Sequence, residues 1–163
     1  MIEKYQKIQF GAEGISHVVC VNGSGPPVTL MHEIPGMTVG CLRVSQQIID
    51  AGFTVSLPLF AGQPKRTQTV RNLISTVCIR REFNIFTSNA SFLIAASLRH
   101  LCCRVSTENG KSGVDLIGMC FTGNVVLSVM LEPAARAAAM CQATLPFFHK
   151  AALGMPERDL HLD

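Results

Sequence analysis

The residues best placed to do chemistry lie in the run Gly118-Met119-Cys120-Phe121-Thr122-Gly123, where a cysteine stands between two glycines. The apolar run Val114-Asp115-Leu116-Ile117 precedes it, and a second apolar run from Asn124 to Leu131 follows. That order reads as strand, sharp turn and helix. Glycines clear the space around such a turn, which can lift a nucleophile above the carboxyl end of a sheet; here the nucleophile is a thiol. An ordinary cysteine, with a pKa near about 8.5, is only a few per cent thiolate at neutral pH, and placement at a helix N-terminus lowers that pKa. The bland alternative is a buried cysteine packed at a tight strand–helix junction with no chemistry.

A second group of interest leaves another apolar strand, in Leu30-Met31-His32-Glu33-Ile34-Pro35-Gly36. Glu33, at the end of an apolar strand, reads either as a solvated loop residue or as a site residue, and His32 as a hydrogen-bonded structural residue.

Both groups need strands to hold them, and the chain supplies alternating strand-like and helix-like runs. Ile15 to Val21 and Pro27 to His32 read as strands joined by the turn Asn22-Gly23-Ser24-Gly25. Cys41, Val44 and Ile48, with Leu42 and Ile49 alongside, recur at helical spacing before Gly52. Phe53 to Leu57 is a further strand, expected to stop at Pro58. Residues 61 to 71 are polar and read as a surface loop. After Ser91, the positions Ile94, Leu98, Leu101 and Val105 fall on one helical face, and Arg136 to Gln142 reads as one more strand. The expected fold is α/β: a doubly wound, mostly parallel sheet with helices on both faces, whose ligands bind at the carboxyl ends of strands.

Composition narrows the function classes. With 163 residues, 48% hydrophobic and 15% charged, the chain reads as one globular domain, residues 1–163. The net charge of +3 is spread out apart from Lys65-Arg66 and Arg80-Arg81, so no stripe tracks a phosphate backbone, and nucleic acid is not an expected partner. Seven cysteines, an odd number without a C-x-x-C pair, suit a reducing cytoplasm. The polar start Met1 to Lys7 does not resemble a secretory leader. Val114 to Leu131 is long and apolar, but Asp115 and two glycines interrupt it, so a buried strand feeding a buried helix is expected rather than a membrane span. No cofactor, metal or membrane partner is expected.

Three segments together carry a specific resemblance: Gly25-Pro26-Pro27-Val28-Thr29-Leu30-Met31-His32-Glu33-Ile34-Pro35-Gly36-Met37-Thr38, Ala51-Gly52-Phe53-Thr54-Val55-Ser56-Leu57-Pro58, and Gly118-Met119-Cys120-Phe121-Thr122-Gly123. In this order, from about Val18 to Leu160, the chain resembles the dienelactone hydrolase family, as do Arg81-Glu82-Phe83 and Gln142 to Phe147. The resemblance implies an α/β-hydrolase that attacks ester or lactone bonds through a Cys-His-Asp set with a glutamate beside the thiol. Cys120 matches the nucleophile and Glu33 the glutamate that holds and activates it; since a carboxylate beside a thiol favours its neutral form, Glu33 would then act as a proton acceptor during turnover or as a latch that keeps the resting thiol protonated. The implied oxyanion donors are the backbone N–H groups of Phe121 and Ile34. Arg81, with Arg80, is a candidate anchor for a substrate carboxylate, and a surface ion pair is the alternative for either.

The chain departs from that pattern after the nucleophile. In α/β-hydrolases the acid and then the histidine follow on later strands, and no such strand–helix unit is read beyond Gln142. His149, Asp159, His161 and Asp163 lie in a short polar tail outside the family's motif. The expectation is a truncated domain lacking the C-terminal strand–helix units, weak or inactive in turnover. Its last strand, around Ala137 to Cys141, is then an apolar sheet edge expected to pair with a second copy. Three functions remain open: a hydrolase of esters and lactones, a non-catalytic relative that binds small carboxylated or lactone ligands or another chain along its open edge, and a thiol redox sensor working through Cys120.

Overall fold

The computed structural model describes residues 2–33, 36–60, 90–110 and 113–142. Within them a short 3₁₀ turn at Ile2–Lys4 leads into six strands and three helices: β1 (Gln6–Ala12), β2 (Ile15–Gly23), β3 (Pro27–Met31), α1 (Val39–Asp50), β4 (Thr54–Leu59), α2 (Ala90–Glu108), β5 (Val114–Met119), α3 (Phe121–Val129) and β6 (Ala135–Cys141). The strands form one sheet in the order β1-β2-β4-β3-β5-β6. β1 and β2 run antiparallel to their neighbours, whereas β3 pairs in parallel with β4 and β5, and β5 with β6. The expected α/β architecture is present, as a mixed sheet whose parallel part carries the site.

Alternation along each strand explains the two layers. Cys20, Leu30, Val55 and Leu57 point to one face and are covered by Cys41 and Leu42 of α1, with Val44, Ile48 and Ile49 alongside. Their sequence neighbours Val19 and Met31, with Val114 and Leu116, point to the other face. There they meet Ile94, Leu98, Leu101 and Val105 of α2 and Val125, Val126 and Val129 of α3. Both helical stripes read from the sequence are thus core stripes.

Three details differ from the sequence reading. The N-terminal strand β1 is one, because Gln6, Lys7 and Gln9 hide an alternation in which only Phe10 is buried. It joins β2 through Glu13 (φ 54°) and Gly14 (φ 73°), the two left-handed residues of a tight hairpin. The turn Asn22 to Gly25 does not make β2 and β3 a pair; β4 lies between them. Gly23, at φ 103°, is needed because a side chain there would run into the Phe53 carbonyl. Finally, β4 continues through Pro58 to Leu59. The β3 ladder on β4 ends at Ser56, so the missing Pro58 N–H falls where β4 has only β2 beside it.

The winding places a switch point at the site. From β3 the chain crosses through α1 to β4 on one side, and from β4 through α2 to β5 on the other. The crevice beyond the carboxyl ends of β3 and β5, where strand order reverses, is where ligands bind in open parallel sheets.

Candidate functional site

Cys120 stands at that crevice, between the end of β5 and the first turn of α3, with φ 57° and ψ −120°. Those angles fall in the mirror-image region that glycine enters freely and other residues enter at a cost of about 1–3 kcal/mol. Three features hold the turn in place. The Cys120 N–H donates to the Cys141 carbonyl on β6 at 2.9 Å, and the Gly123 N–H donates to the Cys120 carbonyl at 3.0 Å. The buried Thr122 hydroxyl accepts from the Met119 N–H at 2.9 Å and lies 3.1 Å from the Met31 carbonyl, tying the turn to the end of β3. Close packing is the third: a β-carbon on Gly118 would lie 2.5 Å from the Thr122 carbonyl oxygen and 2.5 Å from Val126 Cγ2.

Thr122 carries no signal that singles it out in the sequence, and it does two jobs. Its hydroxyl replaces a ladder partner for the last residue of β5, and its backbone is what Gly118 must clear. Gly123, three residues past the thiol, serves the turn through its N–H.

Glu33 lies at the same level as Cys120, one strand over. Met31 pairs with Gly118 at the end of the parallel ladder, and Glu33 and Cys120 each follow two residues later, where the chain leaves the carboxyl ends of these adjacent strands. The Glu33 carboxylate accepts from the Thr38 hydroxyl at 3.4 Å, and the same hydroxyl caps α1 by accepting from the Cys41 N–H at 3.2 Å. Thr38 is a second residue missed by sequence reasoning; its place three residues before Cys41, at a helix start, was the available signal. Burial, and after it the Glu33 carboxylate, pushes the Cys41 thiol up to about 12. Cys41 is therefore a core thiol.

His32 is structural, as the sequence suggests. Its Nε2 accepts from the Phe60 N–H at 3.1 Å, which puts the proton on Nδ1, 2.7 Å from the Glu33 carbonyl. The ring thereby clamps the end of β3 to the end of β4 and fixes the backbone of Glu33. Burial holds the His32 pKa below the ordinary imidazole value, partly offset by the Glu33 carbonyl and assisted by the nearby His17. The depressed value means that the unfolded chain takes up a proton before the folded one. Stability is therefore complete above the unfolded pKa of about 6.5 and falls as pH drops below it towards the folded value. The expected result is a thermal midpoint that declines between pH 7.5 and 5.5 in the wild-type protein, with a shallower decline in His32→Asn.

Of the remaining candidates, the structure describes Phe121 as the first residue of α3, whose N–H belongs to the helix turn that lacks intrahelical acceptors. Ile34, Arg80, Arg81, His149, Asp159, His161 and Asp163 lie outside the described residues. Among the described residues no cluster of three or more histidine, cysteine or acidic side chains could hold a metal ion. None of the described helices is long and apolar enough to cross a membrane. None of the six described cysteines is joined in a disulfide.

Known proteins share this fold. Residues 17–161 match the dienelactone hydrolase family. No curated protein matches the chain. Among solved structures, a protein described as a dienelactone hydrolase from Klebsiella pneumoniae superposes with a TM-score of 0.65 at 16% identity, over 86% of this chain and 60% of that one. A dienelactone hydrolase-like promiscuous phosphotriesterase from metagenomic libraries gives 0.60 at 20% identity, over 82% and 56%. The thioesterase domain from the curacin biosynthetic pathway gives 0.61 at 16% identity, over 91% and 48%. At these identities the superpositions speak for the fold, and the chain spans about three fifths or less of the length of each relative.

Proposed function

The chain belongs to the dienelactone hydrolase family, and on that premise we propose that it is a hydrolase of ester or lactone bonds with Cys120 as nucleophile. The observation that carries this reading is the backbone of Cys120, held at φ 57° and ψ −120° between strand and helix by Gly118, Thr122 and Cys141. Strain of that kind persists only where the surroundings over-determine it, and it clusters at reactive positions.

In the proposed reaction the Cys120 sulfur attacks the substrate carbonyl carbon and its proton passes to Glu33. The resulting oxyanion is received by the N–H groups of Phe121 and Ile34, and one such donor is worth about 3 kcal/mol of barrier. Collapse of the oxyanion breaks the ester C–O bond, the departing alkoxide takes the proton back from Glu33 to leave as the alcohol, and a thioester remains on Cys120. Arg81 is proposed to anchor a carboxylate on the substrate. Water must then be deprotonated to release the acid. His32 is not suited to that step, since both its ring nitrogens are engaged.

The test is an activated aryl ester, with product release followed through several equivalents and intact mass in parallel. Sustained release means that a base completes the cycle. A single equivalent with a stable adduct on Cys120 means a competent nucleophile and oxyanion site without deacylation. Absence of both overturns the hydrolase proposal in favour of a non-catalytic binder of small carboxylates. We also infer a homo-oligomer, with a second copy along β6. Along that strand Arg136 to Cys141 are exposed, Met140 at 49%, and among the described residues β5 is its sole ladder partner. Sedimentation of the same samples as a monomer at micromolar concentration would refute the association.

A further inference from the structure

The strand next to the elbow ends in a second thiol. β6 pairs with β5 so that Cys141 lies opposite Met119, and the Cys141 carbonyl accepts the Cys120 N–H at 2.9 Å. Residues so joined across adjacent strands have Cα atoms within the span of about 4.4–6.8 Å that a disulfide bridges. Cys141 is exposed and Cys120 partly so. The residue after each strand end is strained: Gln142 has φ 53°, and with Cys120 and Glu13 it makes up the non-glycine residues of positive φ among the described residues. Two of these three positive-φ residues thus lie at the carboxyl edge of the sheet, one of them the thiol Cys120 and the other next to the thiol Cys141.

From this juxtaposition we infer that Cys141 is the resolving partner of Cys120, so that hydroperoxides convert the elbow into a reversible Cys120–Cys141 disulfide. The Cys120 thiolate attacks the peroxide oxygen, the O–O bond breaks, and water or an alcohol leaves with a proton, giving a sulfenic acid on Cys120. The Cys141 thiolate then attacks that sulfur. The S–O bond breaks, hydroxide departs as water, and the two sulfurs are joined, the peroxide having taken up the two electrons. A dithiol reductant reverses the change. This inference rests on the position of Cys120 and not on its role in ester cleavage.

The other described thiols are poor competitors. Burial raises Cys20, and pushes Cys41 and Cys102 up to about 12. Burial and the hydrogen bond to Glu132 raise Cys103. Pairing of a second copy along the β6 backbone edge does not remove the opportunity. Cys141 is in register with Met119, and strand side chains stand off the faces of a sheet and not along its hydrogen-bonding edge.

The test is peptide mapping without reduction after one equivalent of hydrogen peroxide, with dimedone present in a parallel sample. The wild-type protein is expected to lose two hydrogens, to yield one cross-linked pair of peptides containing Cys120 and Cys141, and to recover on treatment with dithiothreitol. Cys141→Ser is expected to leave a dimedone-reactive sulfenic acid on Cys120 that proceeds to the sulfinic acid. Wild-type protein that carries a sulfenic or sulfinic Cys120 while Cys141 stays reduced would overturn the inference, as would a disulfide between any other pair. Because the readout is a mass and not turnover, a protein inactive on esters still tests it.

Discussion

Cys120→Gly is expected to raise the stability of the protein by about 1 kcal/mol while abolishing acylation by activated esters. The two effects have separate causes at one position: relief of backbone strain and loss of the sulfur. At φ 57° and ψ −120° a residue with a side chain holds strain of about 1–3 kcal/mol, and glycine occupies this region without penalty. Against that gain stands the extra freedom glycine has in the unfolded chain, worth about 0.4–1 kcal/mol, together with the packing that the partly buried cysteine side chain supplies. The balance favours the folded glycine variant. Denaturant unfolding of wild type, Cys120→Gly and Cys120→Ala would show it. Alanine keeps the strained geometry and removes the sulfur, so it should match or fall below wild type. A glycine variant less stable than alanine would mean that the turn is not strained and that the proposed nucleophile holds a place that any side chain could take.

The same contrast explains how much of the site is legible in the sequence. Residues that act through side-chain periodicity are readable: Ile94, Leu98, Leu101 and Val105 form the buried face of α2 because a stripe at helical spacing has no other stable use. Cys120 and Glu33 are readable as the residues that follow apolar runs, since strand ends in an α/β sheet are where loops meet ligands. Their common level at the switch point is not, because it depends on a parallel register between β3 and β5, which lie far apart along the chain. Thr38 and Thr122 escape notice for another reason. Each acts by bonding a backbone group; for Thr38 the one signal is its place just before a helical run, and Thr122 carries no pattern that singles it out. The proximity of Cys141 to the elbow has the same origin as that of Glu33, namely ladder registration with β5.

The largest loss of stability is expected at Gly118, where valine should cost about 3 kcal/mol or more, at the upper end of the range for overpacking. A β-carbon there would sit 2.5 Å from the Thr122 carbonyl oxygen, 2.8 Å from its carbonyl carbon and 2.5 Å from Val126 Cγ2. Two of those atoms are backbone in the first turn of α3, and the third is part of the core, so no single rotamer change relieves the clash. Overpacking of this kind typically costs about 1–3 kcal/mol, and here relief requires α3 to move off β5. That movement also breaks the Thr122 bonds to Met119 and Met31, each worth about 1 kcal/mol. Gly40→Ala supplies the opposite case. Gly40 is exposed on α1, a β-carbon there meets only Thr38 Oγ1 at 3.5 Å, and the substitution should gain about 0.5–1 kcal/mol from helix propensity. Thermal unfolding of the two variants beside wild type separates the effects. Should Gly118→Val unfold within experimental error of wild type, the close seating of α3 on β5 that fixes the backbone of Cys120 would be wrong, and with it the geometric basis for attack at a carbonyl.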